Sequence, residues 1–226
     1  GFLGIDNKVN FKEKVIVVPF GLEKTVSYGG GTKNGPKEII KASHQVELYD
    51  EELNCEPYKK IGIKTLKPFK IDKNIKKALN KMSKINEEIL GKKLFPMTFG
   101  GEHSITPGCI APFTKRYKNI CLLHFDAHAD LRESYNGEKF SHASAIRRCL
   151  DYPNVSVISF GIRNISQSEI PFFSSIQLVL PAAAVGSWLD GWLAGRLDNE
   201  HIVSIHLNKK TISTIHLPPW QGSKPT

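Results

Sequence analysis

Cysteine is scarce in this sequence, and long apolar runs are absent. Only four of the 226 residues are cysteines, and they lie far apart without a C-x-x-C pair. This spacing argues against a structural zinc site and favours free thiols in a reducing cytoplasm. No run of about eighteen apolar residues is present to cross a membrane, and residues 1–14 lack the apolar centre of a secretory signal peptide. We therefore predict a cytoplasmic protein with no membrane partner.

Acidic residues are outnumbered by basic ones, which gives a net charge of +9. The excess is concentrated in Lys59–Lys93, where many lysines face only three acids. A nucleic-acid site and the solvated face of a helix are both possible explanations. Apolar residues recur in this stretch at helical spacing and the lysines fall mostly between them, so we favour a helix and predict no nucleic-acid partner. The apolar positions are Ile75, Leu79, Met82, Ile85 and Ile89.

Strand-like and helix-like segments alternate along the chain, which is long enough for one sizeable domain. This rhythm predicts an α/β fold with a mostly parallel sheet and helices on both faces. Active sites in such folds lie outside the carboxyl ends of the strands. The predicted strands are Val15–Phe20, Leu94–Phe99, Ile120–Phe125 and Val155–Ile162, and the predicted helices begin at Gly35 or cover Asp72–Leu90, Thr106–Tyr117 and the region of His142–Leu150.

Groups that can bind a metal follow two of these strands. Asp126, His128 and Asp130 alternate after one strand, and alternate residues of an extended segment point the same way. His103 follows another strand and the pair Gly100-Gly101, which permits close backbone approach or positive φ. A polar turn in which an aspartate caps a helix would explain the first group alone. Both groups together favour a site for a divalent ion.

Three motifs then resemble those of the ureohydrolase family, which includes the arginases and agmatinases. They are GGEHS at 100–104, DAHAD at 126–130 and FSHAS at 140–144, the last followed by Arg147-Arg148 and more similar to the agmatinase branch. The resemblance extends from about Phe11 to about Phe173. It implies an arginase-like three-layer α/β/α fold and hydrolysis of a small guanidino substrate, such as agmatine, to urea and an amine. It also implies two manganese ions and assembly into a homo-oligomer, a trimer or hexamer.

The resemblance also implies a role for each matched residue. His103 and Asp130 would bind one ion, His128 would bind the other, and Asp126 would bridge both. His142 would be the catalytic histidine that relays a proton or faces the substrate. The alternative for His142 is a histidine at a helix N-terminus that follows Ser141 as the cap.

The sequence changes character after about residue 173, where lysines become rare and Ala, Gly and Trp become frequent. A strand predicted at Ile202–Leu207 matches the one that carries a second acidic pair in the family, but His206 and Asn208 stand at the matching positions. We therefore expect one ureohydrolase-like domain over residues 1–226, truncated and divergent after about residue 173, in which the second ion is weak or absent. A metal-binding but inactive member and a hydrolase of a guanidino acid or a formimino compound are alternative hypotheses.

Overall fold

The computed structural model describes residues 1–7, 12–174, 176, 178–180, 203–206 and 213–217. Within these residues the strands form one eight-stranded sheet. The strands are β1 (Val15–Phe20), β2 (Ile63–Thr65), β3 (Phe95–Gly100), β4 (Ile120–Phe125), β5 (Val155–Phe160), β6 (Leu178–Leu180), β7 (Val203–His206) and β8 (Ser213–Leu217).

The strand order is β2-β1-β3-β8-β7-β4-β5-β6. Neighbouring strands are parallel, except that β8 runs antiparallel to both β3 and β7. The carboxyl ends of β1, β3, β4, β5 and β7 therefore meet at one edge of the sheet.

Six α-helices connect the described strands. They are α1 (Gly35–Ala42), α2 (Pro57–Ile61), α3 (Ile75–Gly91), α4 (Thr106–Thr114), α5 (Ala145–Cys149) and α6 (Ile170–Phe173). Short 3-10 turns at His103–Ile105 and His142–Ser144 lead directly into α4 and α5. Each turn begins at the candidate functional histidine of one sequence motif.

The long helix α3 has the amphipathic character that its sequence predicts. Asn74 caps its first turn by accepting a hydrogen bond from the Lys77 backbone N–H at 3.1 Å. Lys76 and Lys77 are exposed on the helix surface. The buried face carries Ile75, Leu79, Met82 and Ile89, and these side chains belong to the cluster that also contains Ile16, Val18 and Phe20 of β1.

A second apolar cluster lies under β4 and β5. Ile120 and Leu122 of β4 pack there with Ile110 and Phe113 of α4 and with Ile146 of α5. Cys109 of α4 belongs instead to the first cluster. Because α4 contributes to both clusters, it ties the β1 side of the sheet to the β4 side. Fully burying an apolar side chain of this size contributes about 1.5–3 kcal/mol, so the strand ends between the clusters are firmly placed.

The predicted α/β class and the mostly parallel sheet are confirmed, and β1 and β4 have the predicted bounds. The antiparallel strand β8 and the short elements α2 and β2 were not predicted, since segments this short have weak periodicity. The strand predicted at Ile202–Leu207 corresponds to β7. The side chain of His206 and the whole of Asn208 lie outside the described residues. Among the described helices, none combines the length and the apolar character that a bilayer crossing requires.

Candidate metal and catalytic centre

A close backbone approach at Gly101 places the first part of the site. The Glu102 backbone N–H donates to the Leu22 carbonyl oxygen at 2.8 Å, which brings the end of β3 against the chain that follows β1. A Cβ atom on Gly101 would stand 2.1 Å from the Leu22 carbonyl oxygen, so no side chain fits there. Of the two reasons for glycine that the sequence left open, close backbone approach applies at Gly101, and positive φ does not. It leaves Glu102 and His103 buried at the sheet edge.

The second part of the site follows β4. This strand ends at Phe125, and Asp130 has a left-handed backbone with φ of 51°. The prediction that alternation in an extended segment aligns Asp126, His128 and Asp130 is therefore wrong in its mechanism. A turn places them instead: the His128 backbone N–H donates to Asp126 Oδ1 at 2.9 Å, and a carboxylate that accepts from the backbone two residues on stabilises such a turn.

Four side chains form a compact buried cluster at this sheet edge. His103 Nδ1 lies 2.6 Å from Asp130 Oδ2 and 3.8 Å from Asp126 Oδ2. His124 Nε2 also lies 3.8 Å from Asp126 Oδ2. One ligand atom from each of these four residues falls within 4.8 Å of all the others. The structure thus brings His103, Asp126 and Asp130 together, as predicted from the sequence.

His124 was not predicted as part of this cluster. It was included in the predicted strand Ile120–Phe125 without a role, although it stands two residues before Asp126 and alternate strand positions share a side. The side chain is fully buried, and its Nδ1 lies 3.1 Å from Ser159 Oγ. The His124 ring stacks on the His103 ring at a centroid distance of 5.4 Å. The signal was available in the sequence as a polar residue inside a buried strand.

His128 lies on the other side of Asp126. Its Nδ1 is 3.4 Å from Asp126 Oδ1, and its side chain is 29% exposed, whereas those of His103 and His124 are buried. Of the four predicted metal ligands, His128 is the one outside the compact cluster. Asp126 therefore presents one carboxylate oxygen to His103 and His124 and the other oxygen to His128.

The charges of the cluster are strongly coupled. Burial alone would raise the pKa of the Asp126 carboxyl, but the nearby imidazole of His124 and the charge of His103 hold that pKa well below its usual range. Burial opposes protonation of His103, yet the hydrogen bond and charge of Asp130 raise its pKa. Burial dominates for His124 and lowers its pKa, which favours the neutral imidazole that binds metals.

The predicted catalytic residue His142 is half-buried and lines the same pocket as His103, Asp126 and Asp130. Its Nδ1 is 3.1 Å from Thr25 Oγ1, and its Nε2 is 3.0 Å from Ser27 Oγ. Burial lowers the pKa of its imidazole. Ser141 precedes the turn but makes no capping hydrogen bond with its side chain; its hydroxyl lies 3.1 Å from Ser144 Oγ. The alternative of a histidine placed by a serine cap therefore lacks its capping contact.

An ion-pair network holds the loop between the cluster and His142. The Arg148 side chain is 1% exposed, and its Nη1 and Nη2 donate to the two Glu133 carboxylate oxygens at 3.2 and 2.9 Å. Arg148 Nε also lies 3.3 Å from Asp151 Oδ2. Because Arg148 belongs to α5 and Glu133 to the loop, this paired contact fixes the loop to the helix that follows His142.

A pocket of about 390 Å³ opens at this edge of the sheet. His103, Asp126, His128, Asp130 and His142 all contribute to its wall. Among them are two carboxylates and two imidazoles outside His142, a suitable donor set for a borderline divalent ion. The residues present therefore fit a metal centre at the carboxyl edge of the sheet.

Comparison with known proteins identifies relatives of the chain. A model of the arginase family matches residues 13–181. The agmatinase of Bacillus cereus is 33% identical over 186 residues, which cover 80% of this chain and 63% of the relative. The N(1)-aminopropylagmatine ureohydrolase of Synechocystis is 34% identical over 162 residues, which cover 69% of this chain and 52% of the relative.

A solved structure supports the same relationship. The agmatine ureohydrolase of Thermoplasma volcanium aligns with a TM-score of 0.75 and 25% identity, covering 91% of this chain and 71% of that one. The chain thus spans less than two thirds of the length of the two sequence relatives above. The matched segment contains all three motifs and every residue of the described centre. By this match and by its fold, the chain belongs to the arginase family.

Proposed function

We propose that this chain is an agmatinase-type hydrolase, which converts agmatine to urea and putrescine at a manganese centre. His103, Asp126, His128 and Asp130 are the proposed metal ligands, and His142 is the proposed catalytic residue. The relationship to proteins named agmatinase supports this proposal, as does the convergence of these five residues on one pocket. The proposal concerns the whole protein, because this chain spans less than two thirds of the length of the two sequence relatives named above.

The observation that carries the proposal is the orientation of Asp126. Its Oδ2 lies 3.8 Å from both His103 and His124, while its Oδ1 lies 3.4 Å from His128. A carboxylate whose two oxygens face separate imidazoles is suited to serve two cations at once. His103 with Asp130 would hold the first ion, and His128 would hold the second.

Two divalent ions, when bound, act as Lewis acids and lower the pKa of water so that hydroxide is available near neutral pH. The residues of the chain supply the rest of the chemistry. Asp126 and Asp130 would offset part of the positive charge of the ions. The amine that leaves the guanidino carbon needs a proton, and His142 is placed on the pocket wall to deliver it.

The charge balance of the described centre limits how tightly a second ion can bind. Asp126 and Asp130 carry two negative charges, whereas two divalent ions carry four positive ones. Buried charge without compensation is costly. If His206 and Asn208 stand where relatives place acids, the second ion binds weakly and the activity of the chain is low.

A guanidino acid is a second candidate substrate because a cation lies on the same pocket wall. Arg132 lines the pocket, with its guanidinium 5.1 Å from the centre of the Tyr135 ring. Its Nε is 3.9 Å from Glu169 Oε2, a distance that leaves this pairing weak. An arginine in this position would attract the carboxylate of a guanidino acid and would repel the amine of agmatine.

Release of urea from the guanidino compounds, and of formamide from the formimino compound, tests these alternatives. The chain, loaded with Mn²⁺, is supplied in turn with agmatine, N(1)-aminopropylagmatine, 4-guanidinobutyrate and a formimino amino acid, and Asp126→Ala is the control. Urea from agmatine that is lost in the control supports the proposal. If urea is released from guanidinobutyrate but not from agmatine, the substrate is a guanidino acid and not agmatine. No product from any compound, with manganese bound, supports an inactive metal-binding member.

A further inference from the structure

The buried carboxylate of Glu102 uses all of its acceptor capacity on groups near the pocket. Its Oε2 accepts from the backbone N–H groups of Lys24 and Thr25 at 2.5 and 2.8 Å. Its Oε1 accepts from Thr25 Oγ1 at 2.8 Å and from Ser104 Oγ at 2.6 Å. An ionised carboxylate accepts about four hydrogen bonds and donates none. The single proton of the Thr25 hydroxyl is therefore directed to Glu102.

This assignment determines what the Thr25 hydroxyl can do for His142. The Thr25 oxygen accepts from the His142 backbone N–H at 2.9 Å, and it lies 3.1 Å from His142 Nδ1. Since its own proton is used on Glu102, the hydroxyl can only accept from Nδ1 as well. A neutral imidazole carries one N–H, which must then be on Nδ1.

The other ring nitrogen agrees with this tautomer. His142 Nε2 lies 3.0 Å from Ser27 Oγ, closer than Tyr135 Oη, which lies 3.4 Å from the same hydroxyl. A nitrogen without a proton accepts from this hydroxyl. Ser27 and His142 both line the pocket, so the basic nitrogen of the ring is the one near the pocket wall. In this tautomer the nitrogen available to take up a proton and pass it on is Nε2.

We infer that Glu102 and Thr25 are positioning residues that hold neutral His142 as its Nδ1–H tautomer, with Nε2 as the basic nitrogen. The catalytic consequence rests on the proposed function of His142, but the tautomer is a property of the protein alone. Glu102 acts only through Thr25, and Thr25 only through the imidazole. The wrong tautomer would present an N–H where the pocket needs a lone pair.

Glu102→Gln gives the sharpest test because it reverses the direction of the hydrogen bonds that run from His142 through Thr25 to residue 102. The glutamine carbonyl oxygen is expected to accept from the two backbone N–H groups, which turns its NH₂ group towards Thr25 and Ser104. The Thr25 hydroxyl then accepts from this NH₂ group and donates its proton to His142 Nδ1. We expect the proton of the neutral ring to move to Nε2.

Imidazole nitrogen NMR of the metal-free chain measures the tautomer directly, at a pH above the ordinary histidine pKa of about 6.5. His142→Asn assigns the signals. The parent should show protonated Nδ1, and Glu102→Gln should show protonated Nε2. Thr25→Val should lose the preference for protonated Nδ1, whereas Thr25→Ser should retain it. Ser104→Ala is the matched control, because it removes a hydroxyl from Glu102 that does not lead to His142, and it should keep the parent spectrum.

Kinetics provide the second measurement. In chains with equal manganese content, Thr25→Val and Glu102→Gln should lower kcat by about tenfold to a hundredfold with KM nearly unchanged, and Thr25→Ser should restore it. A parent ring protonated on Nε2, or one tautomer shared by the parent, Glu102→Gln and Thr25→Val, would overturn the inference. If the chain releases no urea, only the proposed function is contradicted, because the nitrogen spectra still test the tautomer.

Discussion

His103 Nδ1 and Asp130 Oδ2 are 2.6 Å apart, and both side chains are close to fully buried. This pair joins the end of β3 to the turn after β4, two segments separated by 27 residues in the chain. At this distance, the contact between a buried imidazole and a carboxylate is a charge-assisted hydrogen bond. The pair therefore has a structural role in the metal-free chain in addition to its proposed role as metal ligands.

Removing the charge of Asp130 should destabilise the metal-free chain. Asp130→Asn leaves His103 buried beside a neutral amide, and losing one partner of a buried charged pair costs about 3–5 kcal/mol. Urea denaturation in the presence of a chelator measures the free energy of unfolding. Glu87→Gln is the matched control, because Glu87 pairs with Lys115 on the surface at 3.5 Å. It should change the stability by less than about 1 kcal/mol. Equal effects of the two substitutions would contradict a structural role for the pair.

Manganese content should separate the proposed ligands. Asp126→Ala should remove more metal than any other single substitution, because its two oxygens face the imidazoles on both sides. His128→Asn should lower only the occupancy of the second, weakly bound ion, since His128 lies outside the compact cluster of His103, His124, Asp126 and Asp130. Elemental analysis of the purified chains gives manganese per chain. Asp126→Ala with the manganese content of the parent would refute the bridging role.

Much of this site was predictable because its residues lie in local motifs at predicted strand ends. β1 and β4 have the bounds that their apolar runs predict, and the position of His103 follows from the end of β3. The turn geometry was not predictable, because the positive φ of Asp130 belongs to a non-glycine residue that rarely adopts it. Nor was the contact of Thr25 with His142, which joins residues 117 positions apart and depends on Gly101 packing against Leu22.

The pH dependence of stability should report on His142. Burial lowers its pKa below the ordinary value of 6.5. As the pH falls below 6.5, the unfolded chain therefore takes up this proton before the folded chain does. The stabilisation is fully present above 6.5 and is lost as the pH falls towards the folded pKa. In metal-free protein, His142→Asn should make the free energy of unfolding less dependent on pH in this window. A variant with the slope of the parent, or a steeper one, would count against a lowered pKa.

The Arg148 contact should not tolerate lysine. A lysine ammonium is a point charge and cannot donate in parallel to both oxygens of Glu133 while also reaching Asp151. Arg148→Lys should therefore lower the free energy of unfolding by about 1–3 kcal/mol, with local loss of order around His142. Arg116→Lys is the control, because Arg116 is exposed. Its effect should be within about 0.5 kcal/mol, and an equally small effect of Arg148→Lys would show that the buried guanidinium is not required.

The last prediction concerns the second metal ion and the strand β7. This strand pairs in parallel with β4 through Leu123 and Ile205, so both strands end at the edge that carries Asp126. An acidic pair after β7 would bring two more negative charges to a centre that has two carboxylates for two divalent ions. If His206 and Asn208 occupy the two acidic positions that the family resemblance implies, His206→Asp with Asn208→Asp should raise the manganese content from about one ion per chain towards two. The control is Asp126→Ala combined with both changes, which should bind little metal because the proposed bridge is missing. Manganese content equal to or below that of the parent in the double variant would mean that this strand does not carry the acidic positions of the family, and the expected weakness of the second ion would lose its basis.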